Sequence, residues 1–206
     1  MTQKALIQVA TTTVVLVFAI GIILSGDQVK SSWLGYYSYA VTAATIVLSL
    51  WNKWIWRWEW VQKLPHVPRS IRGTWRGTLE SAWKDPTTGQ SPPPKPVFLV
   101  IRQSATTVSA VLFTDESSSR STMASLTEDG FGTSLTYIYL NRPQVRVEHR
   151  SRMHNGSAFL EVSGRPANRL RGRYWTDRDT RGAFNFDQRR AEIAEDFEEA
   201  TRIFQS

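Results

Sequence analysis

Residues 5–26 and 31–52 are two uncharged, mostly apolar runs in the first part of the chain. Each is long enough to cross a bilayer as a helix, because a hydrocarbon core takes about 20 residues at 1.5 Å rise per residue. Only Asp27 and Lys30 bring charge between them, so the pattern predicts a hairpin with a very short connection. After Lys53 the pattern changes to short alternating segments separated by turn residues. Thr74–Trp83, Val97–Arg102, Thr107–Thr114, Arg120–Leu126, Ser134–Leu140, Ala158–Ser163, Leu170–Thr176 and Arg181–Phe186 read as eight strands. Asp85-Pro86-Thr87-Thr88-Gly89 and Pro92-Pro93-Pro94 predict an irregular loop between the first two. Many short, evenly spaced strands point to a barrel or an open sandwich. Eight antiparallel strands can close around one small ligand. In Arg190–Phe204, Ile193, Phe197, Ala200 and Phe204 fall on one helical face, which predicts a C-terminal helix packed along the sheet or docking a partner.

These elements divide the chain into five parts. Residues 1–30 hold the first span and a short external loop, and 31–64 the second span with its flank. Residues 65–72 form a linker, 73–188 the β-domain and 189–206 the C-terminal helix. A signal peptide is the competing reading of the first run. Against it, the apolar stretch exceeds the usual 7–15 residues, no small-x-small cleavage site stands out, and Met1 to Lys4 is weakly basic.

Charge orients the hairpin. Lys53, Arg57, Lys63, Arg69 and Arg72 follow the second run against a single Glu59, while the hairpin loop carries one Lys and one Asp. The positive-inside bias then places both termini in the cytoplasm and the hairpin loop outside. Trp51, Lys53, Trp54, Trp56, Arg57, Trp58 and Trp60 crowd this flank and form the expected membrane-interface set, since Trp and basic residues suit headgroup depth. A helix continuing from the span should end before Pro65 and Pro68. Thr11, Thr12, Thr13, Tyr36, Tyr37, Tyr39, Thr42 and Thr45 lie within the runs, with small residues at Gly21/Ser25 and Ala40/Ala44. Such residues suit close helix contacts, within one chain or between copies. Neither run contains an acidic or basic side chain, so an ion pathway or proton relay has little support.

The 206 residues carry a formal net charge of +7. Residues 1–69 hold 6 basic and 2 acidic side chains, 70–188 hold 16 and 11, and 189–206 hold 3 and 5. That surplus fits phosphate ligands, anionic lipid or nucleic acid, or simply a solvated Arg-rich surface. Cysteine is absent, which excludes disulfides, Cys-based zinc sites and thiol catalysis.

Three segments of the β-domain could carry chemistry. Gly73-Thr74-Trp75-Arg76-Gly77 opens the first strand. Gly172-Arg173-Tyr174-Trp175-Thr176-Asp177-Arg178 runs to the last strand pair, where period 2 sets Tyr174 and Thr176 on one face, with Arg178 possible at the rim. Tyr can stack on a base, Thr can hydrogen-bond its edge, and Arg can hold a phosphate bidentately. The bland alternative is a hairpin with a charged turn. Tyr137 and Tyr139 share a face of the fifth strand by the same period. Arg150-Ser151-Arg152-Met153-His154-Asn155-Gly156 reads as a basic turn, with Asn-Gly as its hairpin signal. His154 lacks an evident carboxylate, nucleophile or metal partner, and no HExxH, GxSxG, DxD or P-loop spacing occurs, so the chain is not expected to be an enzyme.

The Gly73-x-Trp75 lead-in resembles that of lipocalin-like barrels, in which the Trp plugs one end. The whole order (two spans, a Trp-rich basic flank, a Gly-x-Trp-led eight-strand module, and a final Gly-x-Tyr-x-Thr-x-Arg hairpin) resembles the two-transmembrane β-barrel effectors of CBASS, the bacterial cyclic-oligonucleotide anti-phage systems. The resemblance implies a cytoplasmic eight-stranded antiparallel barrel, lipocalin-like, that binds a cyclic dinucleotide made by a partner CD-NTase. It further implies ligand-induced homo-oligomerisation and disruption of the lipid bilayer, with no cofactor, no metal and no DNA or RNA polymer as partner. Strand alternation and ligand chemistry make Tyr137, Tyr139, Arg152, His154, Tyr174, Thr176 and Arg178 the candidate ligand-binding residues, and Gly73 and Trp75 the barrel plug. Two other readings stay open: an anchored carrier of an apolar ligand, with an interior of Leu, Val and Phe, and a structural adaptor working through its sheet or C-terminal helix.

Overall fold

A computed structural model describes residues 3–25, 33–149 and 151–205, with side chains described from Gln8 to Leu24 in the first helix and from Ser38 in the second. The expected hairpin loop around Asp27 and Lys30 lies outside the described residues, as do Arg150 and the side chains of Ser25, Tyr36 and Tyr37. The chain forms two compact units, Met1–Pro68 with Ser104–Thr106, and Arg69–Gln103 with Thr107–Ser206.

The first unit holds α1 (Gln3–Ser25) and α2 (Trp33–Lys53), which pack against each other. Gly21, Ala40 and Ala44 are buried, and small residues there let the backbones approach. Thr13 and Thr45 bond back to the carbonyls of Val9 and Val41, each at 2.8 Å, so their hydroxyls are satisfied within their own helices. Val15, Leu16, Ile20, Ile23, Leu24, Val41 and Ile46 are exposed. Among the described residues no helix is long and apolar enough to cross a membrane.

The Trp-rich flank departs from expectation. It is not a continuation of the helix: α2 stops at Lys53, and two short 3-10 turns follow, Ile55–Arg57 and Val61–Lys63. The chain turns there because Trp56 leaves the surface. Trp56 is fully buried with Val61, Val67 and Ala105, while Gln62 Nε2 donates to the Trp56 and Pro68 carbonyls at 2.6 and 3.1 Å. Trp54, Trp58 and Trp60 stay exposed, and Lys53 Nζ lies 5.8 Å from the Trp54 ring.

The second unit is a closed barrel of eight antiparallel strands in sequence order, with the last pairing back on the first. They are β1 (Gly73–Ser81), β2 (Lys95–Gln103), β3 (Val108–Phe113), β4 (Ser117–Asp129), β5 (Gly132–Pro143), β6 (His154–Ser163), β7 (Arg169–Thr176) and β8 (Arg181–Arg190). Closure leaves no free edge, which settles the barrel-or-sandwich alternative. Period 2 turns Leu99, Ile101, Leu135, Tyr137, Leu160, Leu170 and Phe186 into one buried interior cluster. Several strands run beyond their sequence bounds, most clearly β4, whose Ser-rich start carries no apolar alternation to reveal it. Asn155-Gly156 is not a turn. It sits inside β6, paired with β5 and β7, because Gly156 makes room for a cross-strand tyrosine.

One barrel end is sealed. Trp75 is fully buried and its Nε1 donates to Ile71 O at 2.9 Å. The Arg189 guanidinium lies 5.3 Å from the Trp75 ring centroid and donates to the carbonyls of Ser70, Arg72 and Ala167. Gln103 clips the lead-in segment, accepting from Ile71 N at 2.8 Å and donating to Arg69 O at 3.0 Å. The C-terminal helix is shorter than its periodicity suggests. Only α3 (Phe197–Ile203) is helical, because Asp196 caps it by accepting from Glu199 N at 2.7 Å. The segment before it is held extended through Thr74 Oγ1, which donates to Glu192 O and accepts from Ala194 N. Phe197 and Phe204 pack on Phe98, on the outer face of β2.

Candidate ligand-binding site at the barrel mouth

The end opposite Trp75 is built from the ends of β1, β3, β5 and β7 and the starts of β2, β4, β6 and β8. Here the interior changes from aliphatic to aromatic and polar. Along β5, Tyr137, Tyr139 and Asn141 point inward, 1%, 4% and 7% exposed, in a graded approach to the opening. Tyr137 and Tyr139 lie with ring centroids 5.8 Å apart, and Tyr174 of β7 packs 4.9 Å from Phe184.

Two glycines shape this aromatic lining. Gly156 is paired with Tyr139, and a Cβ there would fall on the Tyr139 ring. Gly182 is paired with Tyr174, and a Cβ there would come within 2.6 Å of Tyr174 Cε1. A side chain at either site would push a tyrosine out of its position across the strand.

All three hydroxyls are held neutral. Burial pushes Tyr137 and Tyr139 up, with the neighbouring tyrosine adding in each case and Asp177 adding for Tyr139. Burial also raises Tyr174, opposed by its hydrogen bond with Ser81. At neutral pH the mouth therefore offers O–H donors, which suit phosphate oxygens or base edges.

The four remaining candidate residues stand on the outer rim. Thr176 is half-buried, with Oγ1 at 2.7 Å from Thr180 Oγ1 and accepting from Arg178 N, so its hydroxyl closes the β7–β8 turn. Arg178 does not line the interior. It lies past the end of β7, exposed, and its Nη1 reaches Ser151 Oγ and Arg152 O at 3.4 Å. His154 Nδ1 is 3.0 Å from the same Arg152 carbonyl, and the Arg152 side chain is exposed. Asp177 ties the rim together, its Oδ2 accepting from Asn155 N at 2.9 Å. That backbone bond holds the Asp177 carboxyl below its ordinary value.

A cleft of about 570 Å³ opens beside this rim, its wall formed mostly by the outward faces of β1, β7 and β8 (Glu80, Ala82, Arg173, Trp175, Arg181 and Ala183), with Ser81, Tyr174 and Gly182 completing it. Its size suits a small-molecule ligand. Strand alternation puts Arg173 and Trp175 on the face opposite Tyr174 and Thr176. They do face outward, and they line the cleft from the outer face of β7. Trp175 is 50% exposed, so its indole face is free to stack. Asn141 was legible as the next step of Tyr137-x-Tyr139-x-Asn141, had the strand been extended. Among the described residues no cluster of His, Asp and Glu could hold a metal.

Fold and site together define a class: a barrel plugged at one end, with an aromatic, hydroxyl-lined and Arg-flanked opening at the other, suited to a small anionic aromatic ligand. Residues 66–188 match the family described as Cap15, cyclic dinucleotide receptor domain. The match covers more than half of the chain, and the chain belongs to that family. It is also similar to CD-NTase-associated protein 15 of Staphylococcus schleiferi, 28% identical over 177 residues that cover 86% of this chain and 92% of the relative. The resemblance to CBASS effectors is thus established along most of the chain.

Proposed function

We propose that this protein is the membrane-anchored effector of a CBASS system, in which the barrel mouth binds a cyclic dinucleotide made by a CD-NTase. One observation carries the reading. The inward Tyr137, Tyr139 and Tyr174 lie toward the open end of a barrel whose other end is plugged, and beside that end Tyr174 shares a cleft with Trp175 and the guanidinium-bearing Arg173 and Arg181. A cyclic dinucleotide brings two π-faces and two negative charges, which match aromatic stacking and Arg contacts. The carrier alternative expects an interior of Leu, Val and Phe, and Leu99, Leu135, Leu160, Leu170 and Phe186 supply one; the match to a cyclic dinucleotide receptor domain favours the nucleotide over an apolar cargo.

Output belongs to the hairpin. Two uncharged runs and the exposed Leu16, Ile20, Ile23, Leu24, Val41 and Ile46 support insertion in the inner membrane, with both termini cytoplasmic. Ligand-driven homo-oligomerisation then lets several binding events act on one switch. Moving a receptor from nearly all inactive to nearly all active takes about 5.5 kcal/mol of differential affinity. Disruption of the bilayer is the output, and the protein itself catalyses no reaction. Dye-loaded vesicles carrying the full chain test this part. Addition of a bound cyclic dinucleotide should release dye, and release indifferent to ligand would refute the coupling.

A further inference from the structure

The outer wall of the barrel carries large apolar side chains in two places, and the chain covers one of them itself. On β2 and β3, Phe98, Val100 and Phe113 pack with Ala200, Phe197 and Phe204 of the C-terminal segment. The second place is centred on β6, four strands round from β2 and so on the opposite side. Met123 pairs with Ile138, and Ser157 stands between Ile138 and Trp175 across the next two ladders. Phe159 is the next outward residue after Ser157. Met123, Ile138, Phe159 and Trp175 are 67%, 45%, 40% and 50% exposed, so this patch has no such cover among the described residues. The solvent face of an antiparallel sheet is normally polar, as it is at Ser125 and Thr136 in the neighbouring row. A cluster of large apolar side chains on such a face marks a contact surface.

Charge says what the contact is. Arg173 pairs with Phe159 and Arg181 with Trp175, and Arg76, Arg169 and Arg171 continue the same outer face over β1 and β7. Glu80, Glu161 and Asp187 share that face, and none of them forms an ion pair with these arginines among the described residues. Five cations against three anions leave the face basic. Aromatic rings beside guanidinium groups suit the interface of a bilayer, the rings at headgroup depth and the cations on phosphate. A two-fold contact with another copy would set the same arginines against each other. We propose that the outer face of β4–β8 docks on an anionic phospholipid surface, with Met123, Ile138, Phe159 and Trp175 at headgroup depth. Arg173, Trp175 and Arg181 also line the cleft beside the mouth. Lipid and ligand therefore compete for these three side chains, and ligand binding releases the docked barrel. The competition rests on the cyclic-dinucleotide reading above, whereas the docking stands on the face alone.

The chain has no cysteine, so a single introduced one carries a spin label without background. Thr136→Cys puts the label in the patch, at an exposed position paired with Phe159. Glu198→Cys puts it on α3, exposed and across the barrel. The full chain is reconstituted in phosphatidylglycerol or phosphatidylcholine vesicles, and the label's access to oxygen and to a water-soluble nickel chelate is measured. In phosphatidylglycerol the Thr136→Cys label should favour oxygen, as immersion in lipid requires, while the Glu198→Cys label favours the chelate. Arg169→Gln with Arg171→Gln leaves the cleft lining intact. The pair should lower the ratio of docked to free barrel about 25-fold, because one basic residue near an anionic surface is worth roughly fivefold. A Thr136→Cys label that stays in water, or behaves identically in the two lipids, overturns the proposal. So does spin–spin broadening of that label that vanishes on dilution with unlabelled chain, since a second copy would then cover the patch. A cyclic dinucleotide that binds the full chain in detergent should move the Thr136→Cys label from lipid to water. A label unmoved at saturating ligand overturns the competition. Absence of binding to every cyclic dinucleotide in detergent would remove the functional reading, while the docking is still decided by the label in phosphatidylglycerol.

Discussion

Gly156→Ala probes the geometry of the mouth through one methyl group. On backbone grounds the change should help, because Gly in a strand interior is destabilising by about 0.5–1 kcal/mol relative to Ala. The structure reverses that sign. The new Cβ would strike Cζ and Oη of Tyr139 and come within 2.8 Å of its Cε2. Overpacking of this kind costs about 1–3 kcal/mol, so the net loss is roughly 0.5–2 kcal/mol. For a domain of this size that is a fall in melting temperature of about 2–7 °C. In a Tyr139→Leu background the ring atoms are gone, and Gly156→Ala should be neutral or stabilising. The assay is a double-mutant cycle by thermal and urea denaturation of the full chain in detergent, with a coupling of about 1–3 kcal/mol expected. Ligand affinity should fall in Gly156→Ala even where the protein remains folded, because Tyr139 must turn into the opening. If Gly156→Ala stabilises both backgrounds equally, Tyr139 does not occupy the site described, and the account of the mouth fails.

Two further outcomes follow from the same structure. Arg189→Ala should destabilise the barrel by about 2–4 kcal/mol, since three carbonyls lose their charged donor, while ligand affinity at the opposite end changes less than twofold. Arg189→Lys should restore little of this stability, because an ammonium cannot reproduce the fork; full rescue would contradict the assigned contacts. The tyrosines yield a pH prediction. Tyr137, Tyr139 and Tyr174 have raised folded values, so above pH 10 the unfolded chain sheds their protons first and stability declines as pH rises. Absorbance of tyrosinate from these three should therefore appear only with alkaline unfolding. Reversible titration of all six tyrosines near pH 10 in the folded protein would refute their burial.

The barrel was legible because its signals are local. The unbroken apolar run Val97–Ile101, the alternation in Leu170–Thr176 and the turn residues between strands need no distant partner to be recognised. What escaped depends on contacts across the fold. Asn155-Gly156 carries the chemistry of a turn, yet Tyr139, from the neighbouring strand, claims the space beside Gly156 and draws the pair into β6. Trp56 reads as one of an interfacial set until Val61, Val67 and Ala105 are seen to enclose it. Arg190–Phe204 has helical periodicity throughout, but Thr74 bonds both Glu192 and Ala194, delaying the helix until Asp196 can cap it. Arg189, which closes the barrel over Trp75, lacks any spacing signal because its acceptors come from Ser70, Arg72 and Ala167. At the site, period 2 placed Tyr137, Tyr139 and Tyr174 on inward faces, but it could not show that the outward Arg173 and Trp175 share a cleft with Tyr174.

The central claim is that the open end of this barrel is a receptor for a cyclic dinucleotide. Calorimetric titration of the full chain with the complete panel of these ligands addresses it most directly. At least one member should bind with one ligand per barrel mouth, and Trp175→Ala should weaken it by roughly 5–150-fold, the worth of one stacked base. No measurable binding by any member, or binding that neither Trp175→Ala nor Tyr139→Leu alters, would contradict the account.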